Sequence, residues 1–297
     1  MKTKFGIILA GVLVGFVGVI TKHLTPDINP VAITFFRLLF ASIFLAILMP
    51  VLDKKAYKIK RKDLPNYISI GMLKALALGS FIYALSYAPV SNVVLLSSFS
   101  VVFVTIFAYI FLREKLKFNQ KLAIIVALIG LLVINPFNFK SGFFIGNMIS
   151  LSNALFYALL LVFLRSEEKT HSIGSIMWFF FFATLFYVPF IFMFGLGNNI
   201  LTHLPLLIVL GVFCTALPFL LIGYGAKRLH ADTISIISLL VTPIASIALA
   251  ILIINEALNF RILLGGTILI LAGVVLHYIR KRHIRKITKQ LHLHLHA

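Results

Sequence analysis

The chain has 297 residues, 61% of them hydrophobic and only 12% charged, with a formal net charge of +19 and a mean hydropathy of +1.08. A soluble domain carries about 25% charged residues, so the solvent for most of this chain is lipid. The basic residues sit in short loops between apolar runs and at the C-terminus, a pattern of topology signals and anionic-lipid contact that argues against nucleic acid as a partner.

A helix crosses a hydrocarbon core about 30 Å thick with about 20 residues. In chain order the apolar runs predict an all-α integral membrane protein of ten transmembrane helices, at 5–23, 31–52, 67–87, 91–112, 122–137, 143–164, 173–196, 201–226, 233–254 and 261–279. Lys2 and Lys4 ahead of the first run give the outline of a signal peptide. No small-residue cleavage site follows, so the run is taken as the first span.

The cations group as Lys2 and Lys4, Lys54 to Lys62, Arg113 to Lys121, Arg165 and Lys169, Lys227 and Arg228, and Arg280 to Lys289. These groups fall on every second loop, and the intervening loops hold only Lys22, Lys140 and Arg261. By the positive-inside rule both the N and C termini are cytoplasmic. The sole cysteine, Cys214, lies in an apolar run, which leaves no disulfide framework and no thiol pair for a metal.

The chain also repeats itself. Arg113-Glu114-Lys115-Leu116 ends span four and Asn255-Glu256-Ala257-Leu258 ends span nine, at a shift of 142 residues. The same shift carries Ser100 to Thr242 and Ala41 to Ala183. Five spans separate the two motifs, an odd number, so the expected halves, 1–138 and 139–280, run inverted through the membrane, followed by a basic, histidine-containing tail at 281–297. Inverted halves are a recurring device of secondary transporters, which exchange outward-open and inward-open states around a central site.

The residues then match a family. Phe35-Phe36-Arg37 with Ala41, Tyr83-Ala84-Leu85-Ser86-Tyr87-Ala88-Pro89-Val90, Arg113-Glu114-Lys115-Leu116 and Gly130 in the first half, and Ala231 to Thr233, Pro243, Asn255-Glu256-Ala257-Leu258 and Gly273 in the second, resemble the drug/metabolite transporter superfamily, specifically its members with two EamA-type repeats. Two departures stand out: Val101 where the family often has proline, and Phe179 at the position that the repeat pairs with Arg37. The resemblance implies a ten-helix carrier with a central cavity that moves amino acids, other metabolites or drugs. It leaves direction open, because the family includes exporters, importers and exchangers.

Candidate residues follow span by span. Gly11, Gly15 and Gly18 on span one form a packing stripe. Charge inside a membrane is expensive and faces protein or a water-filled cavity. On span two Arg37 lies toward the outer end, where it either holds helix-end carbonyls and a neighbour or touches substrate. On span three Lys74 stands about seven residues, or ~10 Å, from the start. It either snorkels to the surface or serves as a cation for a substrate carboxylate or phosphate. Tyr83, on the opposite face of the same helix, does not straightforwardly line one cavity with it.

Span six carries Asn147, Ser150, Asn153 and Tyr157 on one face, which is either a helix-packing surface or a cavity wall. On span seven Trp178 and the run to Phe182 suit an interfacial anchor, or a stacking platform for a substrate ring. Span nine presents Ser235, Ser238, Thr242 and Ser246 beside Pro243, a close-packed kink or a gate. All eight acidic residues lie in loops or at span ends, so a mid-membrane carboxylate relay is not expected, and Glu114 and Glu256 are assigned to organising helix ends. His292, His294 and His296 close a tail expected to be disordered, which offers a metal no preorganised shell.

No nucleophile, base or metal constellation points to an enzyme, and no cofactor is expected. A structural or channel-forming subunit would account for the spans without the duplication. The expected function is secondary transport of a small amphipathic metabolite, an amino acid or related compound, across a bacterial cytoplasmic membrane, with a nucleoside-containing metabolite or organic cation as the alternative cargo. The expected partners are that small-molecule substrate and anionic lipid headgroups, with the chain a monomer or weak homodimer.

Overall fold

The computed structural model describes residues 2–52, 61–114, 116–134, 142–166, 174–226, 228–229 and 231–295. Its helices are α1 (Lys2–Leu24), α2 (Pro30–Leu52), α3 (Leu64–Tyr87), α4 (Val90–Ser97), α5 (Ser100–Phe111), α6 (Phe118–Ile134), α7 (Phe144–Ser166), α8 (Ser175–Phe194), α9 (Ile200–Gly211), α10 (Leu217–Ala226), α11 (Ala231–Ile254) and α12 (Phe260–Leu295). No strand occurs among the described residues. With no water in a bilayer core to satisfy open backbone groups, a helix that bonds within itself is the form such a chain must take.

Among the described residues, eight segments are long and apolar enough to cross a membrane. Two are composite: α4 and α5 together make Val90–Phe111, and α9 and α10 make Ile200–Gly225. The fifth and tenth expected spans correspond to shorter apolar helices, Phe118–Ile134 and Phe260–Leu276. These two pack on each other where Gly130 and Gly265 meet: a Cβ on Gly265 would lie 2.6 Å from the Gly130 carbonyl oxygen and 2.8 Å from the Ile134 nitrogen. Only hydrogen on both residues lets the backbones come this close.

The glycine stripe of α1 does the same against α11. A Cβ on Gly11 would meet Val241 and Thr242, and one on Gly15 would meet Ala245 and the Ser246 nitrogen at 3.1 Å. Both positions advance together along the two chains, so α1 and α11 run parallel. The hydroxyl-bearing face of α11 around Ser246 is thereby used in packing.

The helix pairings interchange when the two halves are exchanged. The neighbours α2 and α8, and α6 and α12, each join equivalent helices of the two halves. The contact of α3 with α7 has its counterpart in that of α1 with α9 and α10, and the contact of α1 with α11 in that of α7 with α4 and α5. Ala41 and Ala183, one repeat apart, are both fully buried in the same apolar cluster.

Two expectations change. Pro65 sits in the first turn of α3, which begins at Leu64, because proline's fixed φ and missing N–H suit a helix start. Lys74 therefore lies about ten residues, or ~15 Å, along the helix, and its side chain is buried in the bundle and does not reach the surface. The tail, expected to be disordered, continues α12 to Leu295. Side chains from Arg280 onward, Asp53 and the basic residues Lys54 to Lys60, Lys115, Lys140, Glu167 to Lys169, Lys227 and the side chain of Asp232 lie outside the described residues.

Candidate functional site

Inside the bundle two basic side chains approach each other. Arg37 on α2 and Lys74 on α3 are each only 3% exposed and lie within electrostatic range of one another. The Arg37 Nε–H donates to the Thr215 hydroxyl at 2.7 Å, while its Nη1 is buried without a hydrogen-bond partner. The Lys74 ammonium lies over the faces of Phe180 and Phe219, 4.0 and 3.7 Å from the ring centroids. Two aromatic faces return about 2 kcal/mol each when desolvated, less than the several kcal/mol needed to take an ammonium from water.

Thr215 owes its position to a local fault in the helix. Val212–Ala216 form a single π-turn between α9 and α10, two residues before Pro218, whose ring cannot supply the next helical N–H. The Thr215 hydroxyl donates to the Leu210 carbonyl at 2.7 Å, satisfying an acceptor that the wide turn frees, and so presents its lone pairs to Arg37. Just before it Gly211 lies directly on α2, where a Cβ would stand 2.9 Å from the Arg37 carbonyl oxygen.

No carboxylate joins this cluster among the described residues. Asp27 lies in the turn after α1, where it meets His203 at 2.9 Å, and Asp63 precedes α3. The two described glutamates, Glu114 and Glu256, form a matched pair of corners at the ends of α5 and α11. Arg113 and Asn255 both adopt left-handed φ, 55° and 53°. The N–H groups of Glu114 and Glu256 then bond back to the carbonyls of Ala108 and Ala250 at 3.2 and 3.1 Å, a left-handed helix cap repeated at the same shift of 142 residues.

The Glu256 carboxylate caps the start of α4, accepting the Val90 N–H at 2.8 Å, the Ser91 N–H at 2.9 Å and the Ser91 hydroxyl at 2.5 Å. It also lies within range of Lys22. The Glu114 carboxylate pairs with Arg165 at the end of α7, at 2.7 Å. The continuous span Val90–Phe111 separates the two corners, so they stand at opposite ends of the bundle.

The remaining candidates are placed as follows. On α7 Asn147, Ser150 and Asn153 are buried, and the two asparagines are directed at neighbouring helices. The Asn92 amide of α4 donates to Asn147 Oδ1 at 3.2 Å, Asn153 Nδ2 donates to the Ala77 carbonyl of α3 at 2.5 Å, and Ser150 bonds its own helix at Gly146. Tyr157 packs with Tyr67, Ile70 and Phe179. Trp178 stacks on Phe182 and meets Phe181 edge-on, against the cluster that holds Phe180.

The Tyr83 ring lies tilted against Tyr87, ring centroids 5.8 Å apart, on the far side of α3 from Lys74. Ser238 and Pro243 sit on α11, with Ser238 half-buried. The structure thus brings Arg37 and Lys74 together with Phe180, from the aromatic run that follows Trp178, and adds Thr215 and Phe219. Pro218 was the sequence signal for Thr215; nothing in helical periodicity marks the Phe219 ring.

Comparison with known proteins bears on the family and the fold. The model of the EamA-like transporter family matches twice, over residues 1–135 and 144–279. An uncharacterized transporter of Archaeoglobus fulgidus is 28% identical over 272 residues, 91% of this chain and 94% of the relative. The pseudopaline exporter CntI of Pseudomonas aeruginosa is 27% identical over 192 residues, 63% of this chain and 66% of the relative. A solved crystal structure shares the fold with a TM-score of 0.66 at 14% identity, over 94% of this chain and 97% of the other.

Proposed function

Because this multi-pass integral membrane chain belongs to the EamA-like transporter family, we propose that it is a secondary carrier that moves a small amphipathic metabolite, an amino acid or related compound, by export or exchange across a bacterial cytoplasmic membrane. It does so by alternating access. Ten spans form two inverted repeats, 1–138 and 139–280, with both termini cytoplasmic.

The observation that carries this reading is the twin corner at Glu114 and Glu256. Each ends a helix in the same left-handed cap, and the two stand at opposite ends of the span Val90–Phe111. Equivalent parts of two halves at opposite membrane faces are what a rocking carrier needs, since each face must open while the other is shut. The interchange of helix pairings between the halves supports the same motion.

Counterflow in proteoliposomes tests it. Labelled amino acids, nucleosides and organic cations are presented to the wild type and to Asn153→Ala and Lys74→Ala. Saturable counterflow of a compound of the amino-acid class, diminished in the variants, is expected. Folded protein that carries no member of the panel, or that conducts without saturation, overturns the carrier reading in favour of a channel or structural subunit.

A further inference from the structure

We propose that Arg37 and Lys74 together form the binding site for an anionic group, a carboxylate or a phosphate, on the molecule this protein carries. The inference deepens the carrier reading and rests on it for the word cargo; the site itself stands on the burial and contacts of the two side chains. The unpartnered Nη1 of Arg37 and the Lys74 ammonium belong to side chains more than nine-tenths buried, and no carboxylate accompanies them among the described residues. A buried cation without a counter-charge is costly, and two within range of each other add repulsion. An anion removes both costs at once.

The surroundings specify how it is held. The Thr215 hydroxyl fixes the Nε edge of Arg37, so the guanidinium is oriented before the ligand arrives and its other edge is left to donate. A planar guanidinium with one edge free matches two oxygens of a carboxylate or phosphate. Lys74 supplies a compact second charge, and Phe180 and Phe219 offer faces to the apolar part of the same molecule. The partners come from opposite halves: both cations belong to the first, and Thr215, Phe180 and Phe219 to the second. Relative motion of the halves therefore makes and breaks the site.

A phospholipid headgroup has the same chemistry, but Arg37 and Lys74 are buried inside the bundle, with Lys74 between the rings of Phe180 and Phe219, and not on its lipid-facing surface. The cargo is accordingly a free, water-soluble anion.

The test uses the full chain in detergent micelles at constant ionic strength. Thermal unfolding is followed with N-acetylalanine against its neutral amide and with glycerol 3-phosphate against glycerol. An anionic member should raise the unfolding midpoint saturably while its neutral partner does not. Lys74→Met should weaken that binding at least tenfold, and Lys74→Arg should retain it within about threefold.

Absence of saturable stabilisation by either anion, equal stabilisation by the neutral partners, or undiminished binding in Lys74→Met overturns the proposal. So does stabilisation, dependent on Lys74, by phosphatidylglycerol in nanodiscs that displaces the free anion, because the site would then belong to lipid. Lys74-dependent anion binding without counterflow keeps the site and removes the carrier. Counterflow of a neutral or cationic solute, unchanged in Lys74→Met, keeps the carrier and removes the site.

Discussion

Replacing Glu256 by glutamine preserves its shape and removes its charge. The carboxylate accepts from two backbone N–H groups and one hydroxyl at the start of α4, where the helix dipole favours negative charge. In the amide, one oxygen can keep the Ser91 contacts, but the new NH2 then faces the Val90 N–H, donor against donor. The loss is one charge-assisted bond and the dipole interaction, about 2 kcal/mol. Glu256→Ala leaves both N–H groups without this partner and costs about 4 kcal/mol.

Unfolding of the purified protein in mixed SDS micelles measures both differences. A cycle with Ser91→Ala, which removes the hydroxyl contact alone, should reveal a coupling of about 1 kcal/mol with Glu256→Ala. Stability of Glu256→Gln within about 0.5 kcal/mol of wild type would refute the reasoning, because the charge would then contribute nothing to the cap.

Three further outcomes use the same unfolding assay. Lys74→Met, in the absence of any anionic ligand, should stabilise the protein by about 1–3 kcal/mol, since desolvation of the unpaired charge outweighs its cation–π contacts; a loss of stability would mean that the ammonium has a counter-charge. Arg113→Gly should stabilise by roughly 0.5–1 kcal/mol, because the left-handed φ of 55° strains arginine and not glycine. Gly265→Ala should destabilise by about 1–3 kcal/mol, as its Cβ meets the backbone of α6 at Gly130 and Ile134, which cannot rotate away; a neutral effect would show that α6 and α12 are not packed this closely.

Much of the fold was legible because apolar runs announce helices and a constant shift announces duplication. Glu114 and Glu256 could be paired by their neighbours in sequence, and the left-handed residues before them are the structural form of that likeness. The polar face of α7 was equally legible, since spacing fixes which residues share a side. What it faces was not: the Ala77 carbonyl opposite Asn153 belongs to another helix, and periodicity carries no information about neighbours. Arg37 and Lys74 drew attention singly because charge is rare in lipid, yet their meeting depends on how α2, α3 and the α9–α10 span cross. The burial of Lys74 was not legible either, because the rings that cover it, Phe180 and Phe219, belong to α8 and α10.

The single cysteine of the chain immediately precedes Thr215 and is buried. A maleimide therefore has one possible target, beside the residue that orients Arg37, and needs no cysteine-free background. Under the carrier reading proposed above, its rate of reaction would rise as the halves separate, a clock built into the native chain.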